Sequence, residues 1–181
     1  MADTTLAKPE DLAVQTKLPA DDSRVKLAIR RASDRFIGEV GHPVVFVEDD
    51  TIDLDGNGLQ VLHLPAAPVV GSPTVTVAGR EVTGFQVSRR HGMLRRTDGA
   101  DWPHGFSNIE VTYSHGHKNI PGDIVDAVLE HAATIATSLA HLQQESAGTN
   151  SVSFGSTAMV GVTQKWSDAV QRHRLNTGDR T

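Results

Sequence analysis

The spacing of the apolar residues changes twice along this 181-residue chain, and that change constrains the fold more than any other feature. From Pro9 to about Ile37, and again from Asp123, apolar residues recur at spacings of three and four, as on one face of an α-helix. Between Val44 and His115 they alternate with polar residues, as in strands that bury one face. This order predicts an α+β fold in which N-terminal helices and one long helix pack on a small antiparallel β unit.

Two helices are predicted in the N-terminal part. Pro9 suits the first turn of a helix because its missing N–H would have no partner there. That helix should end near Pro19, since the residue before a proline disfavours the α conformation. The second helix should start at Asp21-Asp22-Ser23 and run to about Ile37, where Gly38 and Gly41-His42-Pro43 stop it. Its buried stripe is predicted to be Val25, Ala28, Ile29, Ala32 and Phe36.

The longest helix is predicted to begin after Pro121-Gly122-Asp123 and to fade at Gln143-Gln144. Its apolar residues advance by three or four positions over about five turns, which keeps them on one face. They are Ile124, Val128, Ala132, Ile135, Leu139 and Leu142. A short final helix carrying Trp166 is predicted from Lys165 to Leu175.

The middle of the chain is predicted to form five to six short antiparallel strands. Its alternating apolar sets are Ile52/Leu54, Leu62/Leu64, Val75/Val77, Phe85/Val87 and Ile109/Val111/Tyr113. Turn signals separate these sets, among them Ala78-Gly79, His91-Gly92 and Asp98-Gly99.

Ser146 to Gln164 contains nineteen consecutive uncharged residues. A Ser/Thr/Gly composition is typical of a flexible linker, and that interpretation stays open. However, the segment also has strand-spaced apolar residues and lacks the charges that protect a free strand edge. We therefore favour an extended arm that adds to a neighbouring subunit or partner. The predicted division is a core of residues 1–145 and a C-terminal assembly arm of residues 146–181.

The predicted partner-binding or oligomer-binding residues lie in this arm and its final helix. They are Val152, Phe154, Met159, Val160, Val162, Trp166, Arg172 and Arg174. A second set, Arg89, Arg90, Arg95 and Arg96, surrounds the turn at His91-Gly92. These arginines predict either a solvated hairpin tip or a contact with DNA phosphate or an acidic partner.

The composition argues against several classes of function. The formal charge of −5 is unlike that of a dedicated nucleic-acid binder. The chain has no cysteine, so disulfide and thiol chemistry are excluded. Its apolar runs are shorter than a membrane span needs, and the N-terminus lacks a signal-peptide pattern, so no membrane role is expected.

No catalytic residue, metal or cofactor is predicted. Asp53 to Gly58 matches the opening of a calcium loop, but Leu64 stands where a bidentate Glu belongs, and the segment is interpreted as a turn. His115 and His117 are close in sequence, whereas a zinc site needs three or four converging ligands. A small metal-dependent enzyme using these histidines is the remaining catalytic alternative.

The order of motifs resembles the head–tail connector (adaptor) proteins of tailed bacteriophages with long non-contractile tails. The resemblance is carried by the opening Lys8-Pro9-Glu10-Asp11-Leu12, the Ala/Arg-rich second helix and the strand ending Val111-Thr112-Tyr113-Ser114-His115-Gly116. It continues with the helix entry Ile120-Pro121-Gly122-Asp123-Ile124, the segment Asn150-Ser151-Val152-Ser153-Phe154 and the basic end Gln171-Arg172-His173-Arg174-Leu175.

The resemblance implies a structural protein of the virion neck, made in the bacterial cytoplasm. It implies a ring of about twelve copies between the portal and the next neck or tail protein, lining a channel that passes double-stranded DNA without specific binding. The arm would dock on the portal or on adjacent subunits. A stopper or tail terminator is the structural alternative, although those proteins are mostly β.

Overall fold

The computed structural model describes residues 4–145 and 163–175, and within them the predicted α+β class is confirmed. The helices are α1 (Pro9–Thr16), α2 (Ser23–Val40), α3 (Gly122–Glu145) and α4 (Gln164–His173). The strands are β1 (Val47–Gly56), β2 (Val61–His63), β3 (Val69–Val77), β4 (Arg80–Glu81), β5 (Phe85–Ser88), β6 (Met93–Arg96) and β7 (Gly105–His115). Of the helices in these two ranges, none is long and apolar enough to cross a membrane.

The chain divides into two compact units. The helical unit comprises the described parts of Met1–Val40 and Ile120–Arg174, and the β unit is built from Gly41–Asn119. This division follows the change in apolar spacing along the sequence. The boundary predicted at residue 145 is a different one, and the separation of a core from an assembly arm stays a prediction.

In the helical unit, α1 and α2 form where the sequence predicts them. Lys17 ends α1 in the left-handed conformation, with its N–H bonded to the carbonyl of Ala13 at 2.9 Å. The predicted stripe of α2 is confirmed, since all five of its residues are at most 1% exposed. Of the two predicted stop signals, Gly38 lies inside the helix, and α2 continues past it to Val40, where Gly41 follows at φ +83°. The added turn includes Glu39, which contacts α4.

The long helix α3 begins at the predicted place, and its first two apolar turns are buried. Ile124, Val128 and Ala132 are fully buried, and Ile135 is half-buried. Leu6, ahead of α1, is also buried, and its N–H donates to the Ser33 hydroxyl at 3.0 Å. Contacts link α1, α2 and α3 to one another, and α4 packs on α2 and α3.

The β unit contains two antiparallel sheets. One has the strand order β1-β7-β3-β4 and the other β2-β6-β5. Consecutive strands therefore do not simply pair with one another, because β7 inserts between β1 and β3. Of the segment Asp53 to Gly58 interpreted as a turn, Asp53 to Gly56 belong to β1, and the chain turns only after Gly56, from the first sheet into the second.

Both sheets contribute to one hydrophobic core. All the alternating apolar sets predicted from the sequence belong to it, together with Leu94 and Trp102. Trp102 is fully buried, donates its indole N–H to the carbonyl of Leu94 at 3.2 Å and lies against Phe85. The described residues form seven strands rather than the predicted five or six. The two additional strands have no alternating apolar set, because β4 has only two residues and β6 contains two adjacent arginines.

Candidate partner-binding surfaces

The predicted arm residues fall into two groups. Val152, Phe154, Met159, Val160 and Val162 lie outside the described residues. Trp166 and Arg172 lie in α4, and Arg174 caps its C-terminal end.

Trp166 is an internal contact of the helical unit. It is 1% exposed, and its ring meets Phe36 of α2 edge-on at 5.2 Å and His131 of α3 at 4.8 Å, both between ring centroids. Its indole N–H donates to a carboxylate oxygen of Glu39 at 2.7 Å. The burial of Trp166 is thus accounted for within one chain. A partner contact by this side chain would require α4 to leave its position.

Around Trp166, the polar groups of α2 and α3 form a connected network. Arg35 donates to Glu39 at 2.8 Å and to Nε2 of His131 at 3.2 Å, and its guanidinium lies 5.7 Å from the centre of the Trp166 ring. Burial and the positive charge of Arg35 lower the pKa of His131. Burial raises the pKa of Glu39, but hydrogen bonds from Trp166 and Arg35 leave it below its usual value. The network favours a neutral imidazole beside an ionised carboxylate.

Both ends of α4 form side-chain hydrogen bonds with residues in the N-terminal half of α3. At its start, the Thr163 hydroxyl accepts the N–H of Trp166 and donates to the Glu130 carboxylate, each at 3.3 Å. At its end, Arg172 and His173 reach one carboxylate oxygen of Asp123, at 2.6 and 3.1 Å. Residue 163 thus lies beside residue 130 and residue 172 beside residue 123, so the two helices are antiparallel.

Asp123 gains a second interaction from its position, because it stands in the first turn of α3, where a negative charge is favoured by the helix dipole. Burial raises its pKa, but hydrogen bonds and positive charge from His173 and Arg172 leave the pKa below its usual value. Arg174 is exposed, and its backbone N–H bonds the carbonyl of Val170 at 2.9 Å.

The arginines around His91-Gly92 separate into two groups. Arg89, Arg90 and Arg95 are exposed, and none of them makes an ion pair with any other residue that the structure describes. We call these three residues the arginine tip. The turn between β5 and β6 is confirmed, with Gly92 at φ +61°.

Arg96 has a structural role. It forms an ion pair with Asp98, and its guanidinium lies 5.3 Å from the centre of the buried Trp102 ring. Hydrogen bonds from Arg96 and from the Ala100 N–H lower the pKa of Asp98 to about 2. Since Arg96 occupies the core side of β6 and Arg95 the outer side, the strand alternation explains why adjacent arginines differ.

The histidines considered as metal ligands do not converge. His115 is 1% exposed, and its ring lies tilted against that of Tyr113, with 4.9 Å between the ring centroids. Its Nε2 lies 3.1 Å from a carboxylate oxygen of Asp50. Within residues 4–145 and 163–175, there is no group of three or more potential ligands with metal-binding geometry. In the calcium-like segment, Asp53 and Asp55 lie in β1, and Asp55 accepts the N–H of Ser107 at 2.8 Å.

One surface was not anticipated from the sequence. A row of residues crosses all four strands of the larger sheet on its outer side, where Asp53 pairs with Glu110, Glu110 with Thr76, and Thr76 with Glu81. The three carboxylates are exposed, as is Asp55 further along β1. We call Asp53, Asp55, Glu81 and Glu110 the acidic face.

The next row on this side consists of hydroxyls, with Thr112 between Thr51 and Thr74. No residue of the acidic face forms an ion pair within the described ranges. A partial signal is present in the sequence, because residues that alternate with the core residues Ile52, Leu54 and Ile109 must point outward. It could not show that Asp53 lies opposite Glu110, since their strands are far apart along the chain.

Comparison with known proteins identifies the class of fold. No family model matches the chain, and the curated proteins give no significant match. Among solved structures, the fold is similar to that of neck chains of phage-like particles.

Two of these structures are of gene transfer agent (GTA) particles. One is described as the neck of a native GTA particle computed with C12 symmetry. It is 16% identical with a TM-score of 0.54, and the match covers 97% of this chain and 93% of that one. The other is the neck of an empty GTA particle computed with C6 symmetry. It is 16% identical with a TM-score of 0.53, covering 97% and 92%.

Proposed function

We propose that this chain is a structural protein of the neck of a tailed bacteriophage and acts there as the head–tail connector (adaptor). Twelve copies would form a ring beneath the portal and present a docking surface to the next neck or tail protein. The observation that carries this proposal is the fold similarity to a chain of a C12-symmetric GTA neck, which extends over 97% of this chain. The motif order of connector proteins points to the same role.

The charge of the chain supports a ring around moving DNA. A formal charge of −5 on each copy gives a ring that repels phosphate overall. DNA that must slide through a channel should not be held there by many lysine and arginine contacts, because each such contact adds salt-dependent affinity. The net charge of the chain is therefore compatible with a structural role in the wall of a DNA channel.

The test is electron microscopy of the purified protein with and without the portal protein of the same particle. Twelve-fold rings stacked on the portal are the expected result. Rings that form but do not stack on the portal would instead favour a stopper or tail terminator. Failure to bind either the portal or other copies of itself would overturn the proposal.

We further propose that the uncharged arm contacts the portal or an adjacent subunit through its apolar residues. Strand-spaced apolar side chains without neighbouring charges are suited to adding to another chain. Arg174, exposed at the end of α4, is a candidate at the margin of this contact. Arg172 is 57% exposed beside Asp123 and could join the contact where it stands, whereas Trp166 would take part only if α4 left its position.

The arm is best tested by substitution, because a truncation after residue 145 would also remove α4 and uncover Phe36 and His131. The arm variant replaces four apolar residues by serine: Val152, Phe154, Val160 and Val162. A control variant replaces three polar residues of the same segment by alanine: Ser151, Ser153 and Ser156. Loss of portal binding in the arm variant alone is expected. Equal binding by both variants would contradict a role for the arm.

A further inference from the structure

The arginine tip comprises three cations of the β5–β6 hairpin that make no ion pair with any described residue. Arg89 and Arg90 lie in the turn after β5, and Arg95 lies on the outer side of β6, beside Gln86 of β5 and Val61 of β2. With Arg96 bound to Asp98, these three guanidinium groups remain available to another molecule. Guanidinium groups bind carboxylates and phosphates equally well in geometric terms, so the partner must be identified from other observations.

The acidic face supplies the complementary chemistry on the other sheet. Its carboxylates are exposed, and Asp53 and Glu110 stand directly opposite each other on paired strands. Like charges in that position destabilise a sheet. A cation from another molecule that lay over the two carboxylates would reduce their repulsion.

An exposed apolar residue precedes a residue bonded to this surface, since Phe106 comes directly before Ser107, whose N–H donates to Asp55. Phe106, near the start of β7, is 89% exposed, the largest exposed fraction among the big apolar residues that the structure describes. Aromatic side chains and arginine are the residues most enriched at the energetic centres of protein interfaces. An arginine that reached the acidic face could also stack on this ring.

We propose that the arginine tip of one copy binds the acidic face of the next copy, so that the β unit carries both halves of the ring contact. The inference rests on the proposed ring and specifies which surfaces close it. A cyclic ring needs two different, mutually complementary surfaces on every subunit, and this chain has them on two different sheets. Opposite charges of this kind steer association and fix the register of the contact.

Paired charge-reversal variants test the contact. The tip variant carries Arg89→Glu, Arg90→Glu and Arg95→Glu, and the face variant carries Asp53→Lys, Glu81→Lys and Glu110→Lys. The substituted residues are exposed, so circular dichroism should show both variants folded. A matched control, Lys26→Glu, Arg30→Glu and Arg31→Glu, makes the same charge change as the tip variant at exposed positions of α2.

Ring formation is scored by electron microscopy and sedimentation with the portal protein present. Each variant alone should need at least about tenfold more protein than the wild type to form rings, which corresponds to about 1.4 kcal/mol per contact. An equal mixture of the two variants should recover rings, because one has two acidic surfaces and the other two basic ones. Closed rings from the mixture must alternate the two chains, so they should contain equal numbers of each by mass spectrometry.

Several results would overturn the inference. Wild-type rings that persist in both variants, or a mixture that fails to recover them, would exclude this pairing while leaving the proposed function intact. Loss of DNA binding in the tip variant with unchanged rings would assign the arginine tip to DNA phosphate instead. A wild-type chain that never forms rings would overturn the proposed function and this inference with it.

Discussion

Replacing Trp166 by alanine should remove most of the stability with which α4 is held on the helical unit. The side chain is 1% exposed and packs between Phe36 and His131, so its loss leaves a cavity as well as exposed apolar surface. Truncations of this kind lower the free energy of unfolding by about 3–5 kcal/mol. The Glu39 carboxylate would also lose its shortest hydrogen bond.

A conservative variant separates packing from hydrogen bonding. Trp166→Phe keeps an aromatic ring in the site but removes the N–H that binds Glu39. A hydrogen bond to a charged group contributes about 1.5–3 kcal/mol when it is buried. The side chain of Glu39 is 37% exposed, so water replaces part of the bond, and we expect a loss of about 1 kcal/mol beyond the smaller packing change.

The measurement is urea denaturation followed by far-ultraviolet circular dichroism, with hydrogen exchange in α4 as a local readout. Lys165→Ala, at an exposed position of the same helix, is the control and should stay within about 0.5 kcal/mol of the wild type. If Trp166→Ala instead lowers the free energy of unfolding by less than about 1 kcal/mol, the described packing of α4 does not hold it in place.

Three further predictions concern single groups. Burial and the positive charge of Arg35 lower the pKa of His131. The free energy of unfolding therefore has its full value above the ordinary histidine pKa of 6.5, and it decreases as the pH falls below 6.5. His131→Gln should reduce the difference in melting temperature between pH 7.5 and 5.5. Gly116→Ala would place a Cβ 2.4 Å from the Val45 carbonyl oxygen at a residue with φ +86°, and it should lower the free energy of unfolding by more than about 2 kcal/mol. The control Gly71→Ala, with φ +76° but open space around the added Cβ, should lower it by about 1 kcal/mol. Asp123→Asn weakens the attachment of the α4 end and should increase hydrogen exchange there while leaving the β unit unchanged.

The helices and the apolar core were predictable because their signals are local. The spacing of Val25 to Phe36 specifies a buried stripe wherever the helix packs, and every alternating apolar set of the middle region entered the core. Of the two stop signals predicted for α2, Gly41 follows the end of the helix, whereas Gly38 lies inside it, because contacts made by Glu39 with α4 extend the helix past that glycine. Tertiary contacts of this kind override local preferences.

The surfaces were harder to predict because they depend on distant pairing. Alternation along β6 separates exposed Arg95 from Arg96, but the ring of Trp102 on which Arg96 lies comes from a segment beyond that strand. The acidic face exists only because β7 pairs with β1, from which it is separated along the chain by residues 57–104. For the same reason, the sequence indicated Trp166 as a residue for partners, whereas its described contacts are with α2 and α3.

The distribution of the two tryptophans gives each unit its own optical reporter. Trp102 lies in the core of the β unit and Trp166 in the helical unit, both at most 1% exposed. The tryptophan fluorescence of a Trp166→Phe chain would therefore come from the β unit alone, and that of a Trp102→Phe chain from the helical unit alone. With these two chains, the units can be followed separately by fluorescence during unfolding and during assembly with other proteins.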